Sequence, residues 1–335
     1  MGYATNEKDK PMARMIRMTK PGGTDVLELA DVPLPAPGPG EILVRQSAIG
    51  INFIDIYHRT GLYPLPSMPA VPGVEGAGVV VAAGPGVAHV KPGDRIAYAG
   101  APVGAYASER LLPAARAIPL PPAITDEVAA AAMVKGLTAH MLLTRVYRVE
   151  AGTWVLVHGA AGGLGSLLTA WAKRLGARVI GTVGSGAKAD IARANGADHV
   201  IIGRDADFGR EVAALTEGRG VHVAYDGIGG ETLRKTLACV RPFGTVASIG
   251  QPAGPIPPID VEELGPKRSL SLARPSIMAY ISDTETYRRA AADVLAVLQD
   301  GIAPLIGRSY PLAEAAAAQA DLEAGRTTGS LLLVP

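Results

Sequence analysis

The chain of 335 residues has one cysteine, Cys239. That excludes an internal disulfide framework and any multi-cysteine zinc site, and it points to a reducing, cytoplasmic setting. Aromatic residues make up only 4% of the sequence. Net charge is +1 with no dense Lys/Arg stripe, so the electrostatic footprint of a nucleic-acid binder is missing and nucleic acid is not an expected partner. No apolar run is long enough to cross a bilayer, and the opening "MGYATNEKDKPMARMIRM" lacks a stretch of signal-peptide length. Residue 6 is Asn, where a myristoylation signal requires Ser or Thr. Residues 1–10 read as a mobile polar extension of a soluble protein.

What is present is a large apolar fraction, 48%, with 19% charged residues, enough to build more than one core at this length. Up to about Pro122 the chain is broken by Pro and Gly every few residues. Short β-rich runs lie between, such as "EILVRQSAIGI", "GAGVVVAAG" and "DRIAYAG". This grammar predicts a compact β domain. From about Thr125 apolar strands alternate with helical segments: "TWVLVHG", "GSLLTAWAKRLGA", "RVIGTVG", "AKADIARANGA", "HVII" and onward to "SLSLARPS". That alternation predicts an α/β fold with a doubly wound parallel sheet of Rossmann type. Two amphipathic helices follow, over 283–299 and 312–324, and the closing apolar run "GSLLLVP" is expected to return to the first domain as a strand.

The run "VLVHGAAGGLGSLL" reads as strand, glycine-rich turn and helix start. It carries the dinucleotide fingerprint with Ala160 in the first glycine position, then Gly162 and Gly165. Small residues there permit a tight turn, bring the backbone to a pyrophosphate and seat the helix on the strand, while the helix N-terminus offers amides and positive dipole. About 20 residues on, where an NAD site places Asp or Glu, the chain has "GTVGSGAK" instead. A small loop with Lys188 suits a 2′-phosphate, so NADPH is expected over NADH, with Arg204 adding to it. One charge-assisted hydrogen bond, about 1.5 to 3 kcal/mol, is roughly ten- to hundredfold in preference. Lys188 is otherwise an ordinary solvated residue early in a helix.

With the turn, "GTVGSGAK" and "AIGINFIDIYHRTGLYP" in place, the chain resembles the zinc-free, zeta-crystallin-like NADPH:quinone oxidoreductases of the medium-chain dehydrogenase/reductase family. The segments "PGVEGAG", "VKPGDR", "GAYAS", "KGLTA", "RPS" and "GRTTGSLLLVP" carry the likeness to the end of the chain. The resemblance implies a GroES-like catalytic domain over 11–132 and 275–335, split around a Rossmann cofactor domain over 133–274. It also implies an active site in the cleft and a homodimer built through the cofactor domains. It places Phe53, Ile54, Asp55, Ile56 and Tyr57 on the nicotinamide side and Ala161, Gly162, Gly163 and Leu164 at the pyrophosphate. The loop from Gly184 and Ser185 to Lys188 then takes the 2′-phosphate. Lys135, Thr138, Ile228, Ile249, Pro275, Ser276, Ile277 and Arg326 are expected to border the cofactor as well. Where the family commonly has Asn-Tyr beside the adenosine, this chain has Ile202 and Gly203.

The resemblance also bears on chemistry. Zinc alcohol dehydrogenases of the superfamily carry Cys and His where this chain has Asn52 and Val74, so no metal is expected. Hydride delivery to a simple ketone makes a basic alkoxide that calls for a Lewis acid or a matched proton donor. A quinone or conjugated enone makes a far weaker base, at about 1.4 kcal/mol per pKa unit, and needs much less help. The candidate catalytic residues are Asn52, Tyr57 and Tyr63. Asn52 either donates to a carbonyl oxygen, caps a short helix ended by Gly61, or does both. The two tyrosines either stack on a flat ring and offer hydroxyls or form an amphipathic wall. Lys135 faces a ribose or substrate oxygen, or makes an interdomain ion pair. His58, His158, Asp226 and Glu75 are expected to support the fold. The expected function is NADPH-dependent quinone reduction. The alternatives are reduction of conjugated enals or enones, or NADPH binding with little turnover.

Overall fold

The computed structural model describes residues 12–266 and 268–335, so the expected extension over 1–10 lies outside the described residues. Short alternating runs at the start form β1 (Met12–Arg17) and β2 (Glu28–Pro33), paired antiparallel. Next come β3 (Glu41–Ile51), α1 (Phe53–Thr60), β4 (Glu75–Ala83), β5 (Arg95–Ala99), β6 (Glu109–Pro113) and β7 (Ile118–Pro119). A long helix, α2 (Asp126–Met141), leads into the apolar strand β8 (Trp154–His158).

Strand and helix then alternate as α3 (Gly163–Arg174), β9 (Arg178–Val183), α4 (Gly186–Ala194), β10 (His199–Ile202), α5 (Phe208–Leu215), β11 (Val221–Asp226), α6 (Thr232–Leu237), β12 (Val240–Ser248) and β13 (Ser271–Ala273). The chain closes with α7 (Ile277–Tyr280), α8 (Thr284–Gln299), β14 (Ile306–Pro311), α9 (Ala315–Glu323) and β15 (Ser330–Val334).

Contacts divide the chain into two units. One holds residues up to Val134, Ile281–Ala291 and Ile306–Pro335; the other holds Lys135–Tyr280 and Ala292–Leu305. The stretch 292–305, which the sequence reading put with the β domain, is counted with the second unit. Its physical reason is local: Val294 lies so close to Gly136 of the same unit that a Cβ on that glycine would meet it at 2.6 Å.

In the first unit a seven-stranded sheet runs β14-β15-β3-β4-β5-β7, with β6 also on β3. Strand β3 is long enough to serve two partners on one edge, β6 through residues 41–45 and β15 through residues 49–51. The closing run "SLLLV" thus returns to this sheet as the sequence predicts. Register shifts in β3 beside Val44 and Ala48 bend it around a core that includes Ile42, Val44, Ile49, Ile96 and Leu331.

In the second unit six parallel strands run β10-β9-β8-β11-β12-β13. Counting from β8 this is the order 3-2-1-4-5-6 of the dinucleotide-binding fold, whose switch point falls between β8 and β11. Both faces of β8 are covered, which is why "WVLVH" is nearly continuous in apolar character. No helix among the described residues is long and apolar enough to cross a membrane.

Candidate functional site

The parallel-sheet unit presents its switch point at the carboxyl ends of β8 and β11. After His158 the chain reverses at Gly159, whose φ of +65° lies in the left-handed region, and Gly162 N donates back to Gly159 O at 2.8 Å. Gly162 then caps α3 in extended conformation. A Cβ on Gly165 would stand 2.1 Å from Gly159 O, so only glycine lets this helix close on its own turn. The first amides of α3 have no intrahelical acceptor, the arrangement by which helix N-termini take anions. Ala161 is buried, whereas Gly162, Gly163 and Leu164 keep partial exposure. The fingerprint read Gly162 and Gly165 but missed Gly159, the residue that makes the reversal.

The neighbouring loop follows β9. Gly184 and Ser185 are exposed, and Ser185 caps α4. The side chain of Arg204 runs alongside, 3.6 Å from where a Cβ on Gly184 would be. Partial burial, then the positive charge of Arg204, lowers the Lys188 pKa. Two cations thus stand close enough to repel, beside a loop without a carboxylate. Gly203, which stands where the resembling family has an aromatic, adopts φ +122°, a conformation that side-chain-bearing residues rarely take. Ile202 beside it is exposed.

Across the switch point, β11 ends in the fully buried Asp226. Its Oδ1 accepts from the N–H groups of Ile228 and Gly229 at 2.8 and 2.9 Å. Its backbone oxygen accepts from Ile249 N at 2.8 Å, which ties the ends of β11 and β12 and with them two of the expected cofactor neighbours, Ile228 and Ile249. Pro275 and Ile277 are half-buried, and Ser276 Oγ accepts from Ala279 N to start α7. Lys135 is buried in α2 and Thr138 half-buried one turn on.

The β-sheet unit holds the other set. Asn52 caps α1, with Asp55 Oδ2 accepting from Asn52 N at 2.8 Å, and Gly61 ends the helix at φ +81°, as the sequence predicts. Asn52 Nδ2 donates to Glu75 Oε1 at 2.7 Å, and Glu75 Oε2 accepts from Val134 N at 2.6 Å. Of the five residues expected beside the nicotinamide, Phe53 and Ile54 keep surface. Asp55, Ile56 and Tyr57 turn inward, and Asp55 Oδ2 also accepts from Tyr106 Oη at 3.1 Å. Tyr57 and Tyr63 meet edge to face with centroids 5.2 Å apart, and Phe53 lies 6.4 Å from Tyr57. The aromatics form a wall, with Tyr63 its exposed member. Arg326 donates through Nε and Nη2 to Asp321 Oδ1 at 2.9 and 2.6 Å in this same unit.

Among the described residues no three His, Cys, Asp or Glu side chains gather as a metal would need. The donor set for catalytic zinc does not fit. Where the resemblance puts metal ligands there are Asn52, already donating to Glu75, and the apolar Val74. Cys239 lies buried between α6 and β12, and burial pushes its thiol up to about 12.

Comparison with known proteins places this geometry. Residues 38–122 match the model of the alcohol dehydrogenase GroES-like domain, and residues 163–296 that of the zinc-binding dehydrogenases. The chain is similar to a quinone oxidoreductase of Pseudomonas aeruginosa, 42% identical over 97% of this chain and 100% of the relative. It is also similar to a 2-haloacrylate reductase of a Burkholderia species, 41% identical over 94% and 97%. Its fold superimposes with a TM-score of 0.93 on the crystal structure of Escherichia coli quinone oxidoreductase complexed with NADPH, at 40% identity over 96% of this chain and 100% of that one.

Proposed function

Because the chain belongs to the medium-chain dehydrogenase/reductase family, in its quinone oxidoreductase branch, we propose that it is an NADPH-dependent reductase of quinones that works without a metal. The observation that carries this reading is the loop after β9, which lacks a carboxylate and sets Lys188 beside Arg204. NADPH, when bound, supplies a hydride from its nicotinamide. The residues of the chain do the rest. The amides at the start of α3 hold the pyrophosphate, and Lys188 and Arg204 hold the 2′-phosphate. The inner turns at Ile228 and Ile249 shape the crevice. Asn52 keeps a second amide N–H for an acceptor's carbonyl oxygen, and the exposed Tyr63, held edge to face by the buried Tyr57, offers aromatic surface to its ring. Positioning then does most of the catalytic work, because a reduced quinone is a weak base.

The Burkholderia relative favours one second reading, reduction of the carbon–carbon double bond of a conjugated carbonyl, which makes similarly small demands on proton donors. We place the protein in the cytoplasm, where its single buried thiol stays reduced. We assign it a homodimer through the parallel-sheet unit, in which β13 ends the sheet and Phe243 and Val261 stand 82% and 77% exposed.

The test is fluorescence titration with NADPH and NADH, followed by steady-state turnover on a benzoquinone and an alkenal. Tight NADPH binding with faster benzoquinone turnover is expected. Faster alkenal turnover selects the second reading, and binding without oxidation across the acceptors leaves an NADPH-binding protein. Sedimentation velocity at micromolar concentration is expected to give a dimer.

A further inference from the structure

Four side chains and a backbone turn form one chain of hydrogen bonds under the switch point of the parallel sheet. Thr182 Oγ1 lies 2.9 Å from His158 Nδ1, and His158 Nε2 lies 2.9 Å from Thr236 Oγ1. Thr236 Oγ1 lies 3.0 Å from Asp226 Oδ2, and Asp226 Oδ1 takes the N–H groups of Ile228 and Gly229. His158, Asp226 and Thr236 are buried. The direction of every bond follows from one end. Thr236 Oγ1 has one proton and two oxygens that only accept within reach, Asp226 Oδ2 at 3.0 Å and Thr232 O at 2.9 Å, and giving the proton to Asp226 keeps the buried carboxylate oxygen paired. The Thr236 oxygen therefore accepts from His158 Nε2–H, and His158 Nδ1 accepts from the Thr182 hydroxyl. Burial lowers the His158 pKa, with Asp226 opposing, which keeps the ring in the neutral tautomer that this direction requires. Phe208 closes the other side of the imidazole edge to face, centroids 4.9 Å apart.

The chain runs from β9 through β8 to β11, the three adjacent strands whose carboxyl ends bear the phosphate loop, the glycine turn and the inner wall of the crevice. At a switch point the helices on the two sides diverge, so the sheet alone does not fix the turn after β11 relative to the turn after β8. We propose that His158, Thr236 and Asp226 are positioning residues: their hydrogen-bond strut sets the 227–230 turn in the shape that receives the dinucleotide. This rests on the cofactor reading above. None of the three touches a ligand in this proposal; they act through the amides of Ile228 and Gly229.

Thr236→Val keeps the volume and removes the hydroxyl, which leaves His158 Nε2–H and Asp226 Oδ2 facing a methyl group. Thr236→Ser retains donor and acceptor. Two measurements read the result. Amide hydrogen exchange over 226–231 in the ligand-free protein is expected to speed up by about tenfold or more in Thr236→Val and to return near wild type in Thr236→Ser. The dissociation constant for NADPH is expected to rise by about tenfold in Thr236→Val, with kcat at saturating NADPH within about twofold of wild type and rescue by Ser. A role in stability alone would lower the melting temperature while leaving NADPH affinity of the folded protein and local exchange unchanged, and that result overturns the proposal. Should Thr236→Val fail to fold, Thr182→Val breaks the strut at its half-buried far end, in a strand position that favours valine. It is expected to move both readouts the same way by about two- to threefold, and no change overturns the proposal. Wild-type protein that does not bind NADPH defeats the cofactor reading instead, and the exchange arm then decides the strut by itself.

Discussion

The side-chain amide of Asn52 is fixed by Glu75, whose two carboxylate oxygens are divided between Asn52 Nδ2 at 2.7 Å and the backbone N–H of Val134 at 2.6 Å. Glu75 is fully buried, and the room for it comes from Gly50, where a Cβ would stand 2.3 Å from Glu75 Oε1 and from Ala130 O. Glutamine at position 75 has one acceptor oxygen, so one of the two buried donors loses its partner. Glu75→Gln is expected to cost about 1 to 3 kcal/mol of stability, read by urea unfolding. It should also lower kcat for a quinone more than it changes the KM for NADPH, since the amide of Asn52 is then free to turn. Unchanged unfolding and kcat would separate Asn52 from Glu75.

The phosphate loop gives a prediction about cofactor choice. Lys188→Glu replaces a cation beside Arg204 with a carboxylate facing the 2′-phosphate, and the KM for NADPH should rise by at least about tenfold while that for NADH changes little. Arg204→Ala should act in the same direction and more weakly, because Arg204 is the more exposed of the two. Raising ionic strength should narrow the preference, as it screens exposed charge. Steady-state kinetics with both dinucleotides checks all three. Equal losses for NADPH and NADH would remove the 2′-phosphate from this loop.

Much of this architecture was legible because its signals are local. The strand, glycine turn and helix from Trp154 onward, the Asn52 cap and Gly61 stop of α1, and the return of "SLLLV" to the first sheet all follow from apolar spacing and a few special residues. The strand β1 is hard to read because the alternation in "MARMIR" breaks where Met15 and Ile16 are buried in succession. Likewise β14 was missed because "IGRSYP" is mostly exposed and offers no apolar face. The contact of His158 with Thr236 spans 78 residues, and no periodicity marks a threonine in a helix as the partner of a strand-end histidine. The resemblance names Phe53 to Tyr57 as one segment, and a helix turns consecutive residues to different sides, so which of them keep surface is read only from the fold.

Acid should destabilise the protein through its histidines before its carboxylates protonate. Burial lowers the pKa of His58, His158 and His222, with Arg241 adding to the effect at His222 and Asp226 opposing it at His158. In the unfolded chain these rings titrate near the ordinary value of 6.5. As pH falls below that value the unfolded state takes up protons that the folded state refuses. Stability is therefore full above it and declines as pH drops toward the lowered folded values. Melting temperature measured from pH 8 to pH 5 should be flat at first and fall below about pH 6.5, and His158→Gln should flatten the fall. A profile that holds level down to the carboxylate range would contradict the burial of these rings.

Two glycines near the expected dinucleotide should answer in opposite ways to the same substitution. At Gly165 a Cβ would lie 2.1 Å from Gly159 O, 2.8 Å from Gly159 C and 3.0 Å from Ala160 Cα, all backbone atoms of the turn that α3 closes upon. Gly165→Ala must therefore push the helix off the turn, at a cost of about 1 to 3 kcal/mol or more from overpacking, and dinucleotide binding should be lost with it. At Gly186, the first residue of α4, a Cβ would meet nothing within 4 Å, and φ does not lie in the left-handed region. Gly186→Ala restricts the unfolded chain without straining the folded one and should stabilise by about 0.4 to 1 kcal/mol. Urea unfolding of both variants reads the sign directly, and NADPH titration separates the two roles. The glycine of the turn is needed for the close approach of backbone to backbone, and the glycine of the phosphate loop is dispensable unless the phosphate itself comes within the reach of that added methyl group.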